Sequence, residues 1–313
     1  MHDGTAFLAS PPEGFPTDYL LARLKRRRHR LDVSQSPGIR ERALTRETQS
    51  SPEVPQDGVR EEYRWVYRQM NPCLRKRFAP YFLWFELRSI LIALRHLRSG
   101  EKELADLSLA GSMLSPDVRV LFSSAAAPFA DASPLIRILQ AQVSEARQLA
   151  AWYREGKGRE YERKMVSLYL EGVGREQLSP PVGLFFALLT DVKNLVALAK
   201  QLRWGVPDAA AFMDGGTIHR RLLCEELQKG GRELGQLLRK TLRRGTPESV
   251  PERVEHALLT HLTGRIRREA RTRSGEAFIL AYLWECHLRA TNEALRFRAG
   301  SFGEEGLATE LIA

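Results

Sequence analysis

Apolar residues recur along most of this chain at a spacing of three to four positions and almost nowhere at every second one, the pattern of amphipathic helices. Tyr19, Leu20, Leu24 and Leu31 lie along one side of a stretch that Thr17-Asp18 can cap, which predicts a helix over 15–30. Residues 32–58 carry Ser, Pro, Gln, Arg and Glu with few large apolar side chains, and read as a flexible loop that packs nothing. Helical spacing resumes over 61–69 and 80–98. Ser133-Pro134 supplies a cap followed by proline at the first helical position, predicting a long helix to about residue 155, and 161–170 is a shorter one. Ser179-Pro180-Pro181 repeats that start signal ahead of a helix to residue 203. Further helices are expected over 216–242, 251–273 and 275–298. The run 119–122 is too short to build a sheet, so the expected fold class is all-α.

The pattern repeats itself. At an offset of 105 residues Glu86, Ser89, Gly100 and Gly111 fall on Asp191, Asn194, Gly205 and Gly216. Leu83, Ile90, Leu91 and Leu97 fall on Leu188, Leu195, Val196 and Leu202, and the cations Arg88, Arg95 and Arg98 on Lys193, Lys200 and Arg203. Each copy reads as a mostly apolar helix, a glycine stop, and a second glycine eleven residues later. Such repetition implies related modules that share a core.

Helical geometry puts Glu86, Ser89, Ala93 and His96 on one face, and likewise Asp191, Asn194, Leu198 and Gln201. Three of the four positions are polar in both copies. Two readings stand: these groups hydrogen-bond between segments within their own module, or they line a cavity that receives a partner. Leu198 interrupts the polar stripe of the second copy and counts against a fully wet lining.

Charge narrows the partner classes. Of 313 residues, 48 are Lys or Arg and 38 Asp or Glu, leaving +10 and pointing to nucleic acid, an anionic membrane surface or an acidic protein. Three basic runs carry the excess: 25–30, 239–244 and 265–273. Part of this pattern is favourable helix C-terminal charge, and the runs hold almost no aromatic residue of the kind that stacks on bases, so no nucleic acid is expected. Cys73, Cys224 and Cys286 stand singly without a CxxC pair, which argues against a zinc ribbon or a disulfide framework and predicts buried, inert thiols. The N-terminus lacks a basic-then-apolar leader, and neither 81–94 nor 182–190 reaches the ~20 apolar residues that span a bilayer, so any membrane association is expected to be peripheral.

Enzyme signatures are missing: HExxH, GxxxxGK[ST], GxGxxG and GxSxG do not occur. Cys286-His287 would point about 100° apart on a helix, a poor dyad, and His256 and His261 are misaligned for a shared metal. Gly215-Gly216 reads as a helix-entry turn. No cofactor, metal or small-molecule substrate is expected, and the chain reads as non-catalytic.

Four segments together resemble the C/d subunit family of V-type and archaeal A-type ATPases. Tyr19-Leu20-Leu21-Ala22-Arg23-Leu24 is similar to the family's opening helix, and Asp191-Val192-Lys193-Asn194-Leu195 to its acidic-x-x-Asn-Leu segment. Gly215-Gly216-Thr217-Ile218 resembles its Gly-Gly turn, while Ala281-Tyr282-Leu283-Trp284-Glu285 through Asn292, with Gly300-Ser301-Phe302-Gly303-Glu304-Glu305, resembles its C-terminal module and tail. Arg289 departs by standing where the third module should carry its glutamate, Ser89 departs by replacing an asparagine, and 34–60 is replaced by the loop. The resemblance implies three pseudo-symmetric helical modules arranged as a funnel, over 1–110, 111–216 and 217–313. It implies a rotor socket that couples central-stalk subunits of the D/F type to the proteolipid ring in proton or sodium transport, peripheral to the cytoplasmic face of the membrane. Arg26, Arg27, Arg28, Glu86, Ser89, Asp191, Asn194, Arg265 and Arg268 are then the candidate partner-binding residues. A helical scaffold or regulatory subunit of another complex, or a basic nucleic-acid-binding helical protein, is the alternative.

Overall fold

The structure is a computed structural model that describes residues 4–34, 55–123, 134–139, 142–242, 250–271 and 274–300. Every named element in it is helical, and strand-like pairing among the described residues is confined to the isolated bridges Leu8–Leu114 and Phe15–Met70. The fold is all-α. Among the described residues thirteen α-helices run in chain order: α1 Thr17–Ser34, α2 Pro55–Gln69, α3 Pro72–Arg98, α4 Lys102–Ala110, α5 Pro116–Ser123, α6 Pro134–Leu139 and α7 Val143–Arg154. They continue with α8 Gly158–Gly174, α9 Pro180–Trp204, α10 Arg220–Gln228, α11 Leu234–Leu242, α12 Pro251–Arg271 and α13 Gly275–Gly300. Short 3-10 turns occupy Gly4–Phe7 and Ala209–Ala211.

Several boundaries differ from the sequence expectation for identifiable reasons. The third helix begins at Pro72 and not at Pro80, because the Asn71 side chain accepts the Leu74 N–H at 2.9 Å and caps it; Asn71-Pro72 is the same cap-then-proline signal as Ser179-Pro180. Pro80 is carried inside that helix, and its carbonyl accepts the hydroxyl of buried Tyr169. The long helix expected from 134 to 155 is two helices, the second opening with a capping box between Gln142 and Glu145. The expected helix over 216–242 starts only at Arg220 and breaks at Gly230 and Gly231, whose φ values of 67° and 80° suit glycine alone. The loop expected over 32–58 lies largely outside the described residues, but its edges are helical, in α1 and α2.

Helix α9 has 25 residues and is apolar enough to cross a membrane by length and composition, which the sequence reading did not anticipate. It is mostly buried: 72% of its most apolar stretch lies inside the protein, as in the core helix of a packed domain.

The chain divides into two compact units that do not coincide with boundaries at 110 and 216. One comprises residues 1–10 and 76–265, the other 11–75 and 266–313, so the divisions fall ahead of α1 and within α3 and α12. The core of the larger unit is an aromatic cluster of Tyr81, Phe82, Phe85, Phe185, Phe186, Trp84 and Tyr169, with ring centroids 4.8–6.3 Å apart. Such tilted and edge-on pairs contribute about 0.5–1.5 kcal/mol each beyond their area burial. Residues 7–9 pair with 113–115, Ala9 donating to the Met113 carbonyl at 2.8 Å and Ser115 to that of Phe7 at 2.9 Å.

In the smaller unit α13 packs on α1 and α2. Ala277, Leu280, Ala281, Trp284 and Leu288 recur at helical spacing on the buried side of α13. Leu20 and Leu24 of α1 and Tyr63, Val66 and Tyr67 of α2 are buried in the same unit, and the Tyr63 hydroxyl donates to the Leu283 carbonyl at 3.0 Å. Arg75 is 7% exposed and donates to four backbone carbonyls, those of Tyr67, Arg68, Pro11 and Pro12, at 2.6–3.2 Å. One guanidinium fork thereby holds the chain before α1 against the end of α2.

Candidate functional site

The internal echo becomes a repeated hydrogen-bond device. On α3 the buried carboxylate of Glu86 accepts the Met113 N–H at 2.9 Å; on α9 the buried carboxylate of Asp191 accepts the Ile218 N–H at 3.0 Å. The donor lies 27 residues downstream in each case, so the two copies match in three dimensions at the same register. Asp191 also accepts the Thr217 N–H at 3.1 Å and its hydroxyl. Burial raises the Asp191 carboxyl above its ordinary range, and the three donors partly offset this by favouring the anion. One turn further along α9, the Asn194 side chain holds both backbone groups of Met213, donating to the carbonyl and accepting from the N–H at 2.8 Å each.

The last polar position of each stripe acts on the turn that follows. His96 Nδ1 lies 2.8 Å from Glu101, and Gln201 bonds both backbone groups of Asp208, at 3.1 and 2.6 Å. The glycine stops between them, Gly100 and Gly205, both have positive φ, 79° and 65°. The Gly215-Gly216 turn has its own explanation. Gly215 has φ 95° and packs against the backbone of Gly174, while a Cβ on Gly216 would sit 2.3 Å from Asp191 Oδ1. Side chains are excluded there because the clamped carboxylate fills the space.

These contacts correct part of the candidate site. Glu86, Ser89, Asp191 and Asn194 are 4%, 2%, 1% and 0% exposed, so they cannot meet a partner directly in this conformation. The other reading of the stripe, hydrogen bonding within the module, is the one the geometry supports for Glu86, Asp191 and Asn194. Met113 and Met213, whose backbones close clamps, had no signal of their own in the sequence, whereas Thr217 and Ile218 follow the Gly-Gly turn.

The basic run on α1 divides by face. Arg27 is paired with Glu62 on α2, which also accepts the Tyr282 hydroxyl at 2.7 Å; the bond to Glu62 is the main reason the Arg27 pKa is raised. Arg28 reaches Glu285 on α13 at 3.0 Å. Arg23 lies 4.9 Å and Arg27 4.1 Å from the centre of the Trp65 ring. Arg27 and Arg28 therefore fasten α1 to its neighbours, whereas Lys25, Arg26 and His29 are exposed. Arg265 is half-buried and Arg268 exposed on α12, in different units. Glu285 gathers Arg267 and Arg289 as well as Arg28, at 4.0 and 3.5 Å. Arg289, the departure from the acidic position of the resembled family, therefore pairs with a carboxylate one turn earlier on its own helix.

Cysteine burial is uneven. Cys286 is buried, and burial, reinforced by the charge of Glu62, pushes its thiol up to about 12; Cys73 is exposed and Cys224 half-buried, contrary to the expectation of three buried thiols.

No protein-family model matches this chain, and no curated protein is significantly similar to it. Its side chains define a helical protein whose polar interior is spent on holding segments together.

Proposed function

We propose that this protein is a non-catalytic rotor socket of a V/A-type ATPase, seated peripherally on the cytoplasmic side of the membrane between the central stalk and the proteolipid ring. The observation that carries the reading is the pair of carboxylate clamps at one register, Glu86 to Met113 and Asp191 to Ile218. A repeated acidic position on a core helix, followed by a glycine stop and a returning loop, is what the resemblance to the C/d family leads one to expect of its modules. The physical role suits it. A part that passes torque must resist shear between its helices. Charge-assisted hydrogen bonds of about 1.5–3 kcal/mol each, buried and tied to backbone, stiffen the junction between a helix and the loop that returns onto it.

In this reading the three-module funnel is completed by α13 and the segments around it, and the exposed cations Lys25 and Arg26 belong to a rim that meets acidic loops of the stalk or ring. The test is affinity purification of the tagged full-length chain from its native membranes. Stalk and proteolipid subunits are expected in the eluate, and the Lys25→Glu/Arg26→Glu variant, which spares the inward-facing Arg27 and Arg28, should recover less of them. Recovery of neither subunit class would overturn the socket reading. Full recovery with the variant would remove these two cations from the rim. Binding to arbitrary duplex DNA that falls steeply with salt would favour a nucleic-acid role instead.

A further inference from the structure

The smaller unit gathers three cations around one carboxylate. Glu285, 17% exposed, faces three guanidiniums: Arg28 from α1 at 3.0 Å, Arg289 from one turn on along α13 at 3.5 Å, and Arg267 from α12 at 4.0 Å. One carboxylate carries a single negative charge and can neutralise only one of the three guanidiniums, whatever the number of hydrogen bonds its oxygens accept. Glu62 of the same unit is bonded to Arg27 and Tyr282. Three like charges brought within reach of one anion repel one another, and the partial burial of Arg289, 16% exposed, strengthens that repulsion. An added anion relieves it.

The surplus also extends along the surface. Lys25 stands one turn before Arg28 on α1, and Arg271 one turn after Arg267 on α12; both are exposed. The other carboxylates on these stretches of α12 and α13 are Glu269, Glu276 and Glu293; with Glu285 they make four against the six cations Lys25, Arg28, Arg267, Arg268, Arg271 and Arg289, so cations remain in excess. Planar guanidiniums suit the two oxygens of a carboxylate better than ammonium groups do. A three-arginine centre with exposed cations one helical turn from two of its members fits a chain bearing several carboxylates, and a lone small ion would use only that centre.

We propose that Arg28, Arg267 and Arg289, grouped around Glu285, bind an acidic segment of a partner protein, its carboxylates competing with Glu285 for the guanidiniums. This does not rest on the rotor reading, since the site stands whichever complex the partner belongs to. The probe is a fluorescently labelled short poly-glutamate peptide, titrated with the intact chain at low salt and followed by anisotropy. Losing charge-assisted hydrogen bonds should weaken binding roughly tenfold in Arg28→Gln/Arg267→Gln. The control Arg159→Gln/Arg232→Gln, an equal charge loss at exposed positions of the other unit, should change it by less than about twofold. Glu285→Gln should tighten binding, because it removes the internal competitor; a purely structural Glu285 would leave affinity unchanged or lower it. Equal losses in the two double variants, absence of peptide binding to the wild type, or unchanged or weaker binding by Glu285→Gln would each overturn the proposal. Tighter binding of a DNA duplex or of anionic vesicles than of the peptide, with the same sensitivity to Arg28 and Arg267, would overturn the assignment to a protein partner.

Discussion

The Asp191 clamp can be broken by exchanging one atom. In Asp191→Asn the shape is kept, but the carboxamide has one oxygen where the carboxylate has two. Asp191 Oδ2 receives both donors of Thr217 and Oδ1 the Ile218 N–H at 3.0 Å. Whichever way the amide turns, its NH2 group faces a donor, and at least one N–H loses its acceptor. An orphaned buried donor costs about 1–3 kcal/mol. Two effects lower this: Ile218 is half-exposed and partly open to water, and the neutral amide escapes the burial penalty that raises the Asp191 pKa. The expected net loss is about 2 kcal/mol, read as a lower urea midpoint at neutral pH. Hydrogen exchange at the Thr217 and Ile218 amides should accelerate in the same variant while amides in the middle of α9 stay protected. The pH dependence has a definite sign. Because the folded carboxyl titrates above the ordinary value of 3.8, the unfolded chain loses this proton first as pH rises. The wild type's advantage over Asp191→Asn therefore shrinks as pH climbs from 3.8 to the raised value and is constant above it. A loss below about 0.5 kcal/mol with unchanged exchange at both amides would refute the clamp as a source of stability.

Gly216→Ala should act through the same carboxylate: its Cβ would meet Asp191 Oδ1 at 2.3 Å, at a cost of about 1–3 kcal/mol, and the double variant with Asp191→Asn should lose less than the sum of the two in urea titrations. Arg75→Lys should destabilise the smaller unit nearly as much as Arg75→Ala, by about 2–3 kcal/mol in thermal or urea unfolding, because an ammonium cannot serve four carbonyls from one position; rescue by lysine would refute the fork's role. Iodoacetamide at about pH 8 should label exposed Cys73 first, followed by peptide mass spectrometry, while Cys286, buried and with its thiol raised to about 12, stays unmodified in the native protein; equal rates would refute its burial.

What the sequence determined by itself is local. The spacing of Ala277, Leu280, Trp284 and Leu288 gives α13 its buried side wherever it packs, and glycines that must adopt positive φ, as at Gly100 and Gly205, stop helices without help from distant residues. The repeat was visible because its marks are residue identities at a fixed offset. The Asn71-Pro72 start was equally present in the sequence, and the continuation through Pro80 hid it, since packing on Tyr169 tolerates a proline that local rules would place at a helix end. Tertiary structure alone decided the rest. Periodicity records that a side chain is buried but not what it meets, so Glu86 and Asp191 were equally compatible with an open lining and with an internal clamp until the loops 27 residues on closed over them. The same holds for Arg27 and Arg28, which sit in one basic run with Arg26 but turn inward, because each successive helical residue points about 100° away from the last and only the neighbouring helices fix which direction is inside.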